Sequence, residues 1–528
     1  MPVSNSLLDD LNALKALLLQ RDGEMAQLRS TVSTLEQALS VRGLEIEQLK
    51  LQLAKLKRMQ FGRKSEKIDR KIEKIDRKIE QLETRLEDLV AEEGANEQQA
   101  PPSAPRRKSE RQPLPAHLPR EERVLEPDET ACCECGGELK PLGEDVSEQL
   151  EIIDSAFKVI RHIRRKKACA CCDHIAQAAA LSRPIECGIA GPGLLAQILV
   201  AKFADHQPLY RQAAICARHG VELDRSTMAR WVGACGALMR PLVDALQAYV
   251  LAPGKIHLDD TPMPVLSPGN GQTKTGRMWV YVRDDRRSGS TAAPAAWFAY
   301  TPNRQGLHPQ THLANFDGVL QADAYAGYDK IYANGRVKEA ACMAHARCKI
   351  HDLHVRKAAV TTTEALRRID ELYGIEEQIR GAPPDQRRRI RQKQARPLLD
   401  DFEQWLRTRL LTVSTHSDTT KAINYVLNQW QALVYYCDDG RAEIDNNLAE
   451  NALRGVALGR KNYMFLGADS GGDRAATMYS LIVSAKLNGI DPQAYLRHVL
   501  THIADYPITR VAELLPWNVA RQLQLQAA

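Results

Sequence analysis

Apolar residues recur at alternating intervals of three and four positions through the first part of the chain. When residues 7–56 are numbered as heptads, twelve of the fourteen a and d positions are apolar, and only Arg21 and Arg42, both at d, are charged. A repeat sustained over this length predicts a coiled coil, with a single amphipathic helix packed on a core as the alternative. A second apolar seam occupies residues 68–89. We therefore expect residues 1–90 to form a coiled-coil, leucine-zipper-like region through which the chain forms homo-oligomers.

A second helical pattern spans residues 188–252, and it lies beyond a linker at 91–128 that is rich in proline, serine and arginine. Within it, a turn at Gly220 separates two expected helices. This order is typical of a helix-turn-helix, although a plain helical hairpin has the same spacing. In a helix-turn-helix, Arg225 and Arg230 would lie at the exposed start of the second helix and contact DNA.

Between these segments, residues 129–180 carry two closely spaced pairs of cysteines. The pairs are Cys132 with Cys135 and Cys169 with Cys172. Each pair lies on a tight knuckle, and four thiolates can hold one structural Zn²⁺ in tetrahedral geometry. The chain has 12 cysteines and no export signal, which favours reduced thiols over a disulfide framework. We therefore expect a zinc ribbon, with unrelated cysteines as the alternative.

The strand expected between the two knuckles is strongly basic. Its cationic residues are Arg161, Arg164, Arg165, Lys166 and Lys167. The net charge of the whole chain is only +6, so the overall balance does not identify a nucleic-acid partner. A basic run on a small zinc module favours contact with DNA phosphates. Taken alone, however, this run and a second one at 387–393 are each typical of a solvated face.

From residue 255 onward the pattern is that of strands separated by short turns. The first strand ends in Asp259 and Asp260, and the fourth strand precedes Asp323. Three successive strands followed by a fourth is the order of an α/β sheet of the RNase H-like kind. In that sheet the first and fourth strands are neighbours, so Asp259 and Asp323 would lie side by side.

A helical stretch at about 350–435 separates this sheet from a third carboxylate, Glu450. The stretch would be an insertion in a catalytic domain that spans 253–480, and a helical tail would follow at 481–528. Two strand-end aspartates and one helix glutamate can hold two divalent metal ions for phosphoryl transfer. Mg²⁺, or Mn²⁺ in its place, suits a site made of oxygen ligands.

Several long blocks of the sequence resemble transposases of the insertion sequence 66 family, a branch of the DDE transposases. They include FGRKSEK at 61–67, GEDVSEQLE at 143–151, LDDTPMPVL at 258–266, LQADAYAGYDKIY at 320–332 and IDNNLAENALRGVALGRKNYMFLGADSGG at 444–472. The resemblance covers nearly the whole chain. It implies a multidomain DNA transposase with an N-terminal coiled coil, a zinc ribbon, a helix-turn-helix-like helical domain and an RNase H-like catalytic domain with a helical insertion.

The resemblance assigns catalysis and the binding of two Mg²⁺ ions to Asp259, Asp323 and Glu450. Asp260 is adjacent to the first of these. Neighbouring strand residues point to opposite faces, so the two aspartates cannot both bind the same ions, and the resemblance favours Asp259.

Basic residues that follow the glutamate on the same segment are expected to contact DNA phosphates. They are Arg454, Arg460 and Lys461. The implied partners are the terminal inverted repeats of the chain's own element and a target DNA, and the resemblance suggests small accessory proteins from the same element.

The expected location is the bacterial cytoplasm, with association to the nucleoid when the protein is bound to DNA. The sequence has no signal peptide and no apolar run that approaches the roughly 18 residues of a membrane span. Two alternatives come from other classes of protein. One is a transposon-derived DNA-binding regulator that no longer cuts, and the other is a cellular RNase H-like nuclease without preference for any repeat.

Overall fold

The computed structural model describes residues 113–527, except 154–155, 173, 187, 268–271, 357 and 464. The predicted coiled coil and the first part of the linker lie outside the described residues. The strands are β1 (Arg120–Leu125), β2 (Leu139–Ile153), β3 (Ala156–Cys169), β4 (Ile175–Gln177), β5 (Gly254–Val265), β6 (Lys274–Arg283), β7 (Ala295–Thr301), β8 (Gly318–Gln321) and β9 (Val337–Ala340).

The helices cluster before, within and after the second group of strands. They are α1 (Pro192–Phe203), α2 (Leu209–Arg218), α3 (Arg225–Leu238), α4 (Arg240–Val250), α5 (Leu307–His312), α6 (Asp329–Tyr332), α7 (Met343–Arg356), α8 (Val360–Gln378), α9 (Pro384–Ile390), α10 (Arg396–Leu410), α11 (Asp418–Asn428), α12 (Trp430–Val434), α13 (Asn447–Asn462), α14 (Asp469–Leu487), α15 (Pro492–His502) and α16 (Pro516–Ala527). None of the described helices is long and apolar enough to cross a membrane.

The first sheet carries the cysteine pairs and has β3 at its centre. Strand β2 pairs antiparallel with β3 along nearly its whole length, while β1 and β4 pair with the opposite edge of β3. One cysteine pair precedes β2 and the other spans the end of β3. The β2–β3 pairing therefore brings both pairs to the same end of the sheet.

A buried carboxylate joins this sheet to the helices that follow. Glu151 of β2 accepts hydrogen bonds from the amides of Gly193 and Leu194, at 3.1 and 2.6 Å, in the first turn of α1. These amides have no partner within the helix, and the positive end of the helix dipole favours a carboxylate there. A Cβ at 191 or 193 would collide with that carboxylate, so a larger residue at either position would displace the Glu151 side chain from these amides.

Helices α2 and α3 are joined by a turn, as expected both for a helix-turn-helix and for a plain helical hairpin. Gly220 lies in the turn with a φ of 73°, a conformation that glycine adopts readily, and Asp224 is the residue that precedes α3. Every residue from Trp231 to Gly236 is buried, as α3 packs against α1 and α14. The accessible part of α3 is therefore its beginning.

The second sheet has the strand order β7-β6-β5-β8-β9. Strands β5, β6 and β7 are antiparallel to one another in turn, whereas β8 and β9 run parallel to β5. The expectation that the first and fourth strands are neighbours is confirmed. Their pairing puts His257 opposite Gln321, and the same register continued by two residues brings Asp259 level with Asp323.

Helix α14 covers the edge strand β7. Ser480 Oγ accepts a hydrogen bond from the amide of Phe298 at 2.8 Å, and Ser484 Oγ accepts one from the amide of Ala296 at 3.0 Å. The two hydroxyls thus satisfy backbone groups that an edge strand leaves unpaired. Position 480, where the sequence suggests a domain boundary, lies inside this helix.

Helices α7 to α12 occupy the stretch that is expected to be a helical insertion, and they have an apolar core of their own, which includes Ile369, Phe402 and Trp430. The chain leaves the sheet and returns to it at one place, which we call the root of the insertion. There, the amide of Ala341 donates to the carbonyl of Ala432 at 3.0 Å, and the amide of Met343 donates to the carbonyl of Ile444 at 2.9 Å.

A buried ionic network connects the insertion with the start of β5. Arg391 donates to both oxygens of Glu376 at 2.7 and 2.6 Å, and Arg387 donates to both oxygens of Glu443 at 3.1 and 3.0 Å. Lys255 Nζ lies 3.6 Å from the Glu443 carboxylate. As whole residues, Arg387, Arg391 and Lys255 are at most 1% exposed. The expectation of a solvated face at 387–393 is therefore wrong for both arginines, because carboxylates on other segments compensate their buried charge.

Candidate active site

Three carboxylates converge where β5, β8 and α13 meet. Asp259 lies in β5, Asp323 follows β8, and Glu450 lies in the first turn of α13. Burial raises the pKa of Asp259 to about 7. A hydrogen bond from the Asp260 amide lowers this pKa, while the negative charges of Asp323, Asp260 and Glu450 raise it further. Asp323 Oδ1 is buried without a hydrogen-bond partner. Acids that repel one another in this way are typical of a functional site that binds cations.

Asp260 has different partners from its neighbour. Its buried carboxylate lies 2.9 Å from Arg277 and 2.8 Å from Arg304. Arg304 also lies 3.6 Å from Asp323, and its guanidinium is 4.2 Å from the centre of the Tyr325 ring. Asp260 is therefore bound to two arginines, whereas Asp259 faces other carboxylates.

Neither of these arginines is among the residues predicted from the sequence. Arg304 follows the C-terminal end of β7, and β5 and β7 end at the same edge of the sheet because both are antiparallel to β6. The position of Arg304 just after a strand could therefore have indicated, from the sequence alone, that it lies near the site. Arg277 lies within β6 opposite Pro262, and only the strand register brings it to the site.

Glu450 has a second set of neighbours at the start of α7. His345 Nδ1 lies 3.6 Å from Glu450 Oε1, and Cys342 offers its Sγ within 4.8 Å of both. Burial raises the pKa of the Cys342 thiol to about 12. The sequence leaves these residues outside the predicted site, and the structure brings them beside one of its members.

Asn446, just before α13, is hydrogen bonded to two of the elements that carry these side chains. It is fully buried, its Nδ2 donates to the carbonyl of Leu258 at 2.8 Å, and its Oδ1 lies 3.0 Å from His257 Nδ1. Its amide donates to Cys342 Sγ at 3.2 Å. The position of α13, and with it that of Glu450, is thus fixed relative to both β5 and the start of α7.

The four predicted zinc ligands come together at the end of the first sheet. Cys132 Sγ is 3.5 Å from Cys172 Sγ, and Cys135 Sγ is 3.4 Å from Cys169 Sγ. Tetrahedral zinc with bonds of about 2.3 Å places its sulfurs about 3.8 Å apart, so the cluster has the size of a zinc site. A hydrogen bond from the Cys171 amide is the main cause that lowers the pKa of Cys169 to about 6.

The basic residues predicted on β3 have partners within the chain. The pairs are Arg161 with Glu122 at 3.0 Å, Arg165 with Glu126 at 2.5 Å, Lys166 with Asp145 at 2.6 Å and Lys167 with Glu126 at 3.6 Å. Arg164 donates to the carbonyl of Ala178 at 2.7 Å. The positive charge of these basic residues is therefore partly neutralised by carboxylates of the same chain.

The other predicted DNA contacts lie on helices. Arg225 and Arg230 belong to the beginning of α3, where Arg230 is exposed. Arg454 and Lys461 are exposed on α13, whereas Arg460 is half-buried and donates to the carbonyl of Pro262. Arg460 thus attaches the end of α13 to β5.

Comparison with protein families matches most of the chain. A model described as "Transposase IS66 family" covers residues 187–474, and a "zinc-finger binding domain of transposase IS66" covers 129–173. The "IS66 C-terminal element" matches 480–517, and "Transposase C of IS166 homeodomain" matches 48–123. The cysteine cluster lies in the segment that matches the zinc-binding model, which supports a structural zinc ion.

Three similar proteins come from Sinorhizobium fredii (strain NBRC 101917 / NGR234). Uncharacterized protein y4qI is 35% identical over 536 residues, which cover 98% of each chain. Uncharacterized protein y4hP is 41% identical over 79% of this chain and 78% of its own, and y4jD is 39% identical over 77% and 81%. The fold, the acidic site and these matches define a DNA transposase with a DDE domain. The chain belongs to the IS66 transposase family.

Proposed function

We propose that this transposase binds the terminal inverted repeats of its own element, cuts the DNA there and joins the freed 3′ hydroxyls to target DNA. Its catalytic domain would be RNase H-like and span 253–480, after a zinc ribbon at 129–180 and a helix-turn-helix-like domain at 188–252. The observation that carries this proposal is the convergence of Asp259, Asp323 and Glu450 at one end of the second sheet.

The three carboxylates fit a pair of divalent cations of the magnesium class. They offer oxygen donors, which Mg²⁺ and Mn²⁺ prefer, and Asp323 Oδ1 is buried without a partner. Burial, helped by the charges of Asp323, Asp260 and Glu450, raises the pKa of Asp259 to about 7, and a bound cation would offset the cost of ionising this carboxyl. Bound cations supply the charge that activates an attacking oxygen and stabilises the leaving 3′ oxygen.

The chain's own residues would orient the DNA strand at these acids. Arg304, held by Asp260 and stacked on Tyr325, keeps a partly exposed guanidinium beside Asp323. A guanidinium in that position can bind a DNA phosphate through two parallel hydrogen bonds. Asp260 would therefore act through Arg304, while Asp259 contacts the cations.

Longer-range DNA contacts would come from three surfaces. Arg230 at the start of α3 and the exposed Arg454 and Lys461 on α13 are available for phosphates. The basic residues of β3 can exchange their carboxylate partners for phosphates, because exposed ion pairs contribute only about 0–1 kcal/mol. The coiled coil would bring two such chains, and hence two element ends, together, with accessory proteins of the element as further partners.

The test is a cleavage and strand-transfer assay on labelled DNA from the ends of the element, with and without Mg²⁺. Wild type should nick and join this DNA, and Asp259→Asn, Asp323→Asn and Glu450→Gln should each lose both steps while retaining DNA binding. The Asp260→Asn variant separates the two neighbouring aspartates. It should keep measurable activity with a higher KM for DNA, and loss of activity only in Asp260→Asn would reverse our choice of Asp259.

Two other outcomes would identify a different function. Wild type that binds the repeats but neither cuts nor joins them is a DNA-binding regulator. Wild type that cuts DNA without preference for the repeats is a general nuclease. A scrambled-end DNA of equal length serves as the control for both.

A further inference from the structure

A second cluster of metal-binding side chains lies beside the carboxylate site. We call it the Cys–His–Glu cluster; it consists of Cys342, His345 and Glu450. Cys342 lies between β9 and α7, His345 is in the first turn of α7, and Glu450 is in the first turn of α13. One ligand atom from each lies within 4.8 Å of the others. This set differs from the three acids because it includes sulfur and nitrogen.

The distance between the histidine and the glutamate of the cluster fits a tetrahedral ion. His345 Nδ1 lies 3.6 Å from Glu450 Oε1, and a tetrahedral zinc ion with bonds of about 2.1 Å separates two such ligands by about 3.4 Å. His345 Nδ1 is buried and has no hydrogen-bond partner, a state that costs free energy unless a ligand satisfies it. A cation held between this nitrogen and the Glu450 carboxylate would satisfy it.

The surroundings of the sulfur also suit a metal ligand. Cys342 is only 2% exposed, and its Sγ accepts a hydrogen bond from the amide of Asn446 at 3.2 Å. A hydrogen bond to a side chain that binds a metal orients that side chain and adjusts the affinity of the site for the metal. A bound cation would displace the thiol proton to solvent, as happens whenever a cysteine becomes a zinc ligand.

We propose that the Cys–His–Glu cluster binds a soft divalent cation of the zinc class, separately from the four-cysteine site. Thiolate and imidazole ligands select zinc-like ions over magnesium. Because Glu450 belongs to both sets of ligands, an ion held here withdraws that carboxylate from the magnesium-class site and inhibits the reaction. The inhibition rests on the proposed catalytic role of Glu450, whereas binding of the ion does not.

The binding is tested by titrating the metal-free full-length protein with Co²⁺, whose absorption reports thiolate ligation and coordination geometry. Wild type should bind two ions that show thiolate absorption, the first with the spectrum of four thiolates and the second with that of a single thiolate; ions at the carboxylate site have no such absorption. Cys342→Ser and His345→Gln should each lose the second ion, with affinity reduced by more than about tenfold, and keep the first. The first spectrum reports that each variant is folded around its zinc module.

Two matched variants locate the second ion. Cys348→Ser changes an exposed cysteine on the same helix, α7, and should keep both ions. Cys133→Ser changes a thiol that lies 3.4 Å from His174 Nε2 beside the zinc module, and should also keep both. The proposal is overturned if wild type binds only one ion with thiolate absorption, if Cys342→Ser and His345→Gln still bind two such ions, or if Cys133→Ser loses the second.

The inhibition is measured as the rate of DNA nicking in Mg²⁺ while free Zn²⁺ is raised above the level that fills the four-cysteine site. Each variant is compared with its own rate without added Zn²⁺. Wild type and Cys348→Ser should slow together, and Cys342→Ser should resist. If Zn²⁺ fills the cluster and nicking continues, competition for Glu450 is refuted. If wild type does not nick in Mg²⁺ alone, the proposed function fails, and the Co²⁺ titration still decides whether the cluster binds metal.

Discussion

Replacement of Asp259 by asparagine should stabilise the magnesium-free protein and at the same time abolish strand transfer. Asparagine has nearly the same shape, and its Oδ1 can still accept the 2.7 Å hydrogen bond from the Asp260 amide. The substitution therefore removes a charge and little else. That charge is costly in the folded protein, because it is largely buried and faces Asp323, Asp260 and Glu450.

The size of the effect follows from the pKa of Asp259, which rises from 3.8 to about 7 on folding. The folded protein holds this proton more tightly than the unfolded chain. The stabilisation by the proton is therefore fully present below pH 3.8 and is lost progressively as the pH rises from 3.8 to about 7. The variant carries no such charge, so its unfolding free energy should exceed that of wild type by about 1.6 kcal/mol at pH 5 and about 4 kcal/mol at pH 8. Screening by solvent makes both values upper limits.

The measurement is thermal unfolding at several values between pH 5 and pH 8, in buffer freed of magnesium by a resin that leaves the bound zinc in place. Asp259→Asn should melt at a higher temperature than wild type, and the difference should grow with pH. Added Mg²⁺ should raise the melting temperature of wild type more than that of the variant. The same substitution at the exposed Asp352 on α7 is the control and should change stability by no more than about 0.5 kcal/mol at every pH. A variant that melts below wild type at pH 8, or a difference independent of pH, would refute the electrostatic explanation.

Three further predictions concern stability and zinc. Arg391→Met leaves Glu376 without its closest partner and should lower the unfolding free energy by about 3–5 kcal/mol. The control, Arg367→Met, removes exposed ion pairs and should lower it by less than about 1 kcal/mol. Equal losses of stability in thermal unfolding would contradict the importance of the buried network. Glu151→Ala removes the carboxylate at the start of α1 and should lower the unfolding free energy by about 1–2 kcal/mol. Hydrogen exchange at the first amides of that helix should become faster. Unchanged exchange would show that the helix does not need this carboxylate as a cap. Cys135→Ser should lower the zinc content by one ion per chain and make the zinc module sensitive to protease, and retention of the full zinc content would exclude this cysteine as a ligand.

The sequence was sufficient for the succession of strands in the second sheet, because apolar strand-like segments are separated by short turns, and the RNase H-like order then makes the first and fourth strands neighbours. That order places the ends of the first and fourth strands together, so the proximity of Asp259 and Asp323 could be predicted. The separation of Asp259 from Asp260 also follows from the sequence, since consecutive residues of a strand alternate between faces.

Contacts between charged groups far apart in sequence could not be predicted in the same way. Arg387 and Arg391 lie in a basic run that resembles a solvated face, yet both are buried against acids on distant segments. Arg277 reaches Asp260 only through the strand register. Glu151 resembles any strand glutamate until the fold brings the start of α1 against it. A charge pattern reports which residues are ionic, whereas their partners are set by tertiary packing.

The root of the helical insertion has a consequence for how such proteins are compared and engineered. Because the backbone leaves the sheet and returns at adjacent points, hydrogen bonded through Ala341 and Met343, the length of chain between the second and third acids does not set their distance in space. Homologues could differ in the length of the exposed turns of this excursion without moving the acids apart, and searches that demand a fixed spacing would miss them. The turn after α10, where Leu411 is 87% exposed, is correspondingly a suitable point for inserting a fluorescent reporter.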